Sequence, residues 1–80
     1  MKIGRQLQAA IDEIAENAAW SLAEKTKTKD PTDAYRGIVL GNAIRYILRV
    51  NGMGFDAADA YARQAVAKAL YREQERRKIS

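Results

Sequence analysis

The chain contains no cysteine and no histidine. Without thiols there is no disulfide and no cysteine nucleophile, and without imidazole there is no histidine acid–base catalyst; zinc sites built on either residue are excluded as well. Most familiar enzyme chemistries go with them, so the chain reads as a non-enzymatic protein with no cofactor. A single proline and five glycines leave few places where regular structure must stop. No apolar run approaches the ~20 residues of a membrane span. The opening Met1-Lys2-Ile3-Gly4-Arg5-Gln6 leads into amphipathic rather than uniformly apolar sequence, so the expectation is a cytoplasmic protein without membrane contact.

What is present is short and moderately apolar. Eighty residues with 48% hydrophobic content fit one domain, residues 1–80, near the lower limit of independent folding. A core of that size yields about 3–5 kcal/mol of net stability unless the chain self-associates. The formal charge is +4 and is unevenly spread. Met1 to Glu24 carries two basic and four acidic residues, Arg63 to Ser80 six basic and two acidic, and Ala34 to Met53 three arginines and no acid. Such asymmetry suits an acidic macromolecular partner, or head-to-tail packing of copies.

The periodicity predicts an all-α, compact three-helix bundle. Ile3, Leu7, Ile11, Ile14, Ala18 and Leu22 recur at spacings of three and four, which makes Ile3 to about Lys25 one amphipathic helix. The polar run Thr26-Lys27-Thr28-Lys29 ends that pattern. In Asp30-Pro31-Thr32-Asp33, Asp30 can cap, proline suits the first helical position, and Asp33 can reach back as in a capping box. The second helix should run from Pro31 to Asn51 and stop at Gly52, where glycine supplies the left-handed conformation of a C-terminal cap. After Met53-Gly54-Phe55, Asp56 and Asp59 repeat the start signal, and Ala57 to about Arg76 forms the third helix.

At about 100° per residue, Val39, Leu40, Ala43, Ile44, Ile47, Leu48 and Val50 cover more than half of the second helix. It is therefore expected to be the buried central element. The remaining strip carries Tyr35, Ile38, Asn42, Arg45 and Arg49, hydrogen-bond donors with no carboxylate among them. Arginine forks grip phosphate or carboxylate bidentately, and the Asn42 amide can add direction. The alternative is structural: Arg45 and Arg49 pair with Asp12, Glu13 or Glu16 of the first helix.

The third helix has a small-residue face, Ala58, Ala62, Ala65 and Ala69 with Val66 alongside. Its opposite strip, Tyr61, Gln64, Lys68, Arg72 and Glu75, can stack on bases while neutralising phosphates, or it is a solvated face whose long stems lie along the helix. Arg76-Arg77-Lys78 sits where cations complement the helix dipole. Trp20 projects on the side of Glu13, Glu16 and Glu24, away from the apolar stripe. Either the third helix wraps over it, or Trp20, with Glu13 and Glu16, anchors a partner or a second protomer. A homo-oligomer is expected on this ground.

The run Gly41-Asn42-Ala43-Ile44-Arg45-Tyr46-Ile47-Leu48-Arg49, preceded by Tyr35 and followed after a short turn by an acid-initiated helix, resembles a small helical domain of tailed phages. That domain is also found at the C-terminal end of some phage nucleotide kinases. The likeness covers Tyr35 to about Tyr71 and departs from it at Ala62-Arg63-Gln64-Ala65, where the family pattern is lysine-rich. It implies phage origin, with the host cytoplasm as the place of action, and not kinase activity, because no Gly-x-x-x-x-Gly-Lys-Ser/Thr loop is present. In size and style the chain is also similar to anti-CRISPR proteins.

Three functions follow as expectations. The first is a phage-type accessory or counter-defence protein that binds a host nucleoprotein complex or nucleic acid, with Asn42, Arg45 and Arg49 aided by Tyr61, Lys68 and Arg72. The second is a nucleotide- or phosphate-binding module using Asn42, Arg45 and Arg49. The third is a structural helical homo-oligomer.

Overall fold

The computed structural model of the chain describes residues 3–28 and 31–79. Three helices account for nearly all of them: α1 (Arg5–Thr28), α2 (Pro31–Val50) and α3 (Phe55–Ile79). Among the described residues there is no strand, so the chain is an all-α three-helix bundle.

Each helix end has a local cause. The Gly4 carbonyl accepts from the Gln8 amide and opens α1. Lys25 and Lys27 in its last turn oppose the helix dipole favourably. The helix continues through the polar run to Thr28, past the expected end at Lys25, and the Thr26 hydroxyl donates to the Leu22 carbonyl at 3.1 Å. The cap assigned to Asp30 lies outside the described residues; Asp33 stands in the first turn of α2. The far end of α2 closes as the sequence indicates. Gly52 has φ of 99°, its amide donates to the Arg49 carbonyl, and the Met53 amide donates to the Leu48 carbonyl. That bond pair is a Schellman cap, and Met53 packs on the core that contains Leu48, as the motif requires.

Two boundaries of α3 differ from the sequence reading. The Ala58 amide bonds the Gly54 carbonyl at 2.8 Å, so the helix begins at Phe55 and not at Ala57. Asp56 is consequently a first-turn residue facing the positive end of the helix and not its cap. At the other end α3 runs to Ile79. Its terminal basic residues are tied down by carboxylates: Arg76 bonds Glu73 at 2.6 Å, Arg77 bonds Glu24 of α1 at 3.0 Å, and Lys78 bonds Glu75 at 3.2 Å. Ion pairs, more than the helix dipole alone, occupy that cluster.

Cross-helix contacts fix the topology. The Tyr61 hydroxyl donates to Gln8 Oε1 at 2.6 Å, and sixteen residues further along both helices Arg77 reaches Glu24. Both pairs are separated by 53 positions, so α1 and α3 run parallel in one fixed register. Between α2 and α3 the order reverses, with Arg45 opposite Asp59 and Gly41 opposite Val66. α2 is therefore antiparallel to α3.

The centre of the bundle is α1, not α2. Ile11, Ala15, Ala18, Ala19, Ser21 and Ala23 of α1 are buried, whereas α2 buries only Gly37, Ile44 and Leu48. Val39 and Val50, assigned to the core from the helical arc, are exposed. Small residues on α1 leave room for a neighbour on each side, and this decides the arrangement. On the α3 side Ala58, Ala62 and Ala69 are buried as the small-residue face indicates, with Ala65 and Val66 packed against the core. The large side chains that are fully buried are Ile11, Ile44 and Leu48.

Gly37 lets α2 approach α1 closely. A Cβ there would stand 2.7 Å from both Leu22 Cγ and Cδ2 and 3.5 Å from the Ala18 carbonyl oxygen. At Gly41 the nearest atom would be a Val66 methyl at 3.9 Å, an ordinary contact. The two glycines should therefore respond oppositely to alanine. Gly41→Ala gains helix propensity of about 0.8–1.0 kcal/mol and should raise the thermal midpoint by several degrees. Gly37→Ala makes the same backbone gain against an overpacking cost of roughly 1–3 kcal/mol, and should lower the midpoint. In a Leu22→Ala background the same Gly37→Ala change should become stabilising, and a thermal double-mutant cycle checks that reversal.

Candidate anion-binding face of α2

Along the outer side of α2, Tyr35, Ile38, Val39, Asn42, Tyr46, Arg49 and Val50 are all exposed. They share a side because residues three and four apart on a helix are neighbours. Arg45 and Arg49 are one turn apart, and like charges at that spacing repel. Two groups from α3 compensate. Asp59 Oδ1 accepts from Arg45 Nη1 at 3.2 Å, and the Phe55 ring lies beneath both guanidinium groups, with centroid distances of 5.3 Å to Arg45 and 5.4 Å to Arg49. A cation over an aromatic face is attracted to the ring quadrupole.

The structural partner of these arginines is thus on α3. Neither pairs with Asp12, Glu13 or Glu16 among the described residues, which corrects the alternative drawn from sequence. Arg45 is half-buried and anchored; Arg49 is exposed and has no carboxylate partner among the described residues. Asp59 also accepts from Arg63 Nε at 2.9 Å. The Arg63 hydrogen bond does most to hold the Asp59 carboxyl below its ordinary value; burial opposes it, and the Arg45 hydrogen bond and the charges of both arginines add to the lowering.

Two grooves flank this row. One, of about 650 Å³, is lined by Asn42, Arg45, Tyr46, Arg49, Val50 and Phe55. The other, of about 420 Å³, lies between α2 and α3 over a floor that includes Gly37, Gly41 and Ala62, with Ile38, Arg45 and Arg63 among its walls. Asn42 and Arg45 border both. The first groove has no carboxylate in its lining; the second has Asp59.

The remaining sequence-predicted residues lie elsewhere. Tyr61, Lys68 and Arg72 line a separate groove toward α1, together with Gln8 and Asp12. Tyr61 spends its hydroxyl on Gln8, so it is a clip between helices and not an open stacking platform. Lys68 and Arg72 are exposed but face a groove that already contains an acid. The structure does not join this strip to Arg45 and Arg49 in one groove. Glu13 and Glu16 are exposed on α1, and Trp20 is 47% exposed, so it is only half covered by the rest of the chain. Glu16 borders a small groove with Arg72, Glu73 and Arg76.

Phe55, Tyr46 and Asp59 are the site residues that sequence reasoning missed. The sequence reading puts Phe55 in a turn and gives Tyr46 no role between the two arginines. The available signal was the only phenylalanine of the chain, standing next to Gly54 and hence free to begin a helix. No protein-family model matches the chain, and neither a curated protein nor a solved structure matches it.

Acid should weaken the fold through two carboxylates. Glu73 is buried, and its carboxyl is held below the usual glutamate range first by the Arg76 hydrogen bond, with burial opposing and the charges of Arg76 and Arg77 adding. A carboxyl whose folded value is depressed contributes stability that is present above its unfolded value, about 4, and lost as the pH falls through the folded one. The thermal midpoint should therefore hold from neutral pH down to about 5 and fall below that. Glu73→Gln should lower the midpoint at neutral pH and flatten the acid limb; Asp59→Asn, being more exposed, should do so less. Melting curves across pH check both.

Proposed function

We propose that this chain is a non-enzymatic binding protein that engages an acidic macromolecule, nucleic acid or nucleoprotein, through the outer face of α2. The single observation that carries the reading is Arg49: exposed, supported from below by Phe55, and without a carboxylate partner among the described residues. A surface arginine with its charge uncompensated and its guanidinium supported on a ring is oriented before a ligand arrives, which reduces the entropy lost on binding. Arg45 beside it is fixed by Asp59, and Asn42 adds an amide one turn away. The net charge of +4 favours encounter with polyanions over the whole surface. A phage-type accessory or counter-defence role fits this mode of action and rests on the resemblance of the Tyr35 to Tyr71 segment.

A second reading has its own support. Trp20, Tyr35, Ile38, Val39, Tyr46 and Val50 are large and exposed, while most of the buried core is alanine. Exposed aromatic and aliphatic groups of this kind are what a second copy or a protein partner would cover. In that reading the chain is a helical homo-oligomer, with Trp20, Glu13 and Glu16 as one face of the contact.

The experiment for the first reading is a salt titration of binding to a labelled polyanion. Each phosphate contact contributes roughly 0.7–0.9 to the slope of log affinity against log salt. Arg49→Ala should therefore reduce the slope by about one contact while leaving the thermal midpoint unchanged. Arg45→Ala should reduce it similarly and also lower the midpoint, because Asp59 loses a partner. If both variants bind with the wild-type slope, the α2 face is not the contact, and a protein-directed surface around Trp20, Glu13 and Glu16 becomes the better reading.

For the second reading, sedimentation at micromolar concentration should show a species larger than the monomer, and Trp20→Ala should shift it toward monomer. A monodisperse monomer at that concentration would reject the oligomer.

A further inference from the structure

We infer that the groove between the C-terminal half of α2 and the start of α3 holds an unpaired base of a single-stranded nucleic acid. The inference rests on the acidic-partner reading above and narrows that partner to one class. It starts from the groove's composition. Of its six lining residues, Phe55 and Tyr46 are aromatic, Arg45 and Arg49 carry planar guanidinium groups, Asn42 offers an amide, and Val50 is aliphatic. Four of the six can stack on a flat ring, and none repels a phosphate.

A site for phosphate alone does not call for this set. Backbone contacts use cations, hydroxyls and amides, and they gain nothing from exposed rings. Here Tyr46 is 70% exposed and Phe55 52%. Exposed aromatics interleaved with arginines are the surface on which successive bases stack, a contribution open only to strands whose bases are not already stacked in a duplex. Groove size agrees: about 650 Å³ lies within the roughly 300–1,000 Å³ typical of small-ligand sites. It is large enough to take one nucleotide.

The surroundings extend the track. Asn42 and Arg45 also border the neighbouring groove of about 420 Å³, whose wall includes Arg63 and the Asp59 carboxylate that both arginines share. A strand crossing α2 from one groove to the other would pass Arg49, Arg45 and Arg63 in turn, leaving a base on the Tyr46 and Phe55 side. The Asn42 amide stands between the two grooves, where it can donate to and accept from a base edge.

Three labelled probes of the intact protein test this: a short oligothymidine, a duplex of equal length, and heparin as a polyanion without bases. Oligothymidine should bind more tightly than the duplex at the same salt. Phe55→Leu and Tyr46→Leu should each weaken oligothymidine binding roughly 5- to 100-fold, the stacking loss expected per base; Tyr46→Leu should leave the salt slope and heparin binding unchanged, whereas Phe55→Leu, which also releases Arg49, should weaken heparin binding too, by a smaller factor. Tyr46 lies outside the core, so its variant stays folded even if Phe55→Leu loosens the start of α3. If duplex and heparin bind as tightly as oligothymidine and both aromatic variants are silent, the single-strand inference is wrong. An arginine-dependent salt slope in that result would leave the acidic-partner reading standing. If no probe binds in a manner that depends on Arg45 or Arg49, both fall, and an acidic protein surface becomes the partner to seek.

Discussion

Close approach of the helices over small residues is the constraint on which the rest of this structure depends. α1 meets its neighbours through Ala15, Ala18, Ala19 and Ala23, α2 reaches α1 at Gly37, and α3 presents Ala58, Ala62 and Ala69. Alanine buries little area, so at about 25 cal/mol per Å² these contacts contribute far less than leucine or isoleucine would. Ile11, Ile44 and Leu48 provide the large, fully buried volume. Truncating any one of them would cost about 2–5 kcal/mol, comparable to the whole stability of a domain this small. A seam of small side chains also specifies register weakly, since one alanine fits where another does. Polar clips supply what the apolar core does not. Tyr61 with Gln8, Arg77 with Glu24, and Arg45 with Asp59 each allow one alignment of two helices.

The same constraint explains where the candidate binding surface lies. Because the core is built from alanine, the large apolar and aromatic side chains are left outside: Trp20 on α1; Tyr35, Ile38, Val39, Tyr46 and Val50 on α2; Phe55 and Tyr71 on α3. Single exposed hydrophobic residues are normal on a protein surface, but several on one helix face are not. On α2 they alternate with Asn42, Arg45 and Arg49, so that face is both sticky and cationic. An apolar patch alone suits self-association, and a basic patch alone suits any polyanion. The mixture is what the proposed ligand, with flat rings beside negative charge, would require.

Much of the fold was legible in the sequence, and the reasons are local. Helix count and type followed from periodicity, and Gly52 announced its own cap because only glycine takes that backbone conformation cheaply. The choice of central helix was not legible. A helical wheel counts apolar residues on an arc, and α2 has more of them than α1; but burial is decided by which helix can be approached from two sides, and that favours the alanines of α1. Val39 and Val50 were misassigned for this reason. For the site, Arg45, Arg49 and Asn42 were visible as an acid-free strip. The acid that holds Arg45 was not, since Asp59 is fourteen residues away and had been assigned to a helix start. Pairing between helices cannot be read from charge spacing within one of them.

Phe55 shows how a two-residue error in a boundary hides a candidate site. With α3 starting at Ala57, Phe55 belongs to a loop and has no fixed direction. With the Gly54 carbonyl capped by the Ala58 amide, Phe55 becomes the first residue of a helix, and its ring is held against the end of α2. The Schellman cap at Gly52 sets that geometry, because it turns the chain within Asn51 to Gly54 and returns Phe55 under the two arginines one turn back. Removing the ring would restore the repulsion between Arg45 and Arg49, and Arg49, having no acid to fall back on, would swing into solvent. The aromatic residue therefore has two linked effects: it offers a surface of its own and keeps the adjacent charge aimed along the groove. A leucine in its place retains the packing but loses the ring quadrupole that holds the cations.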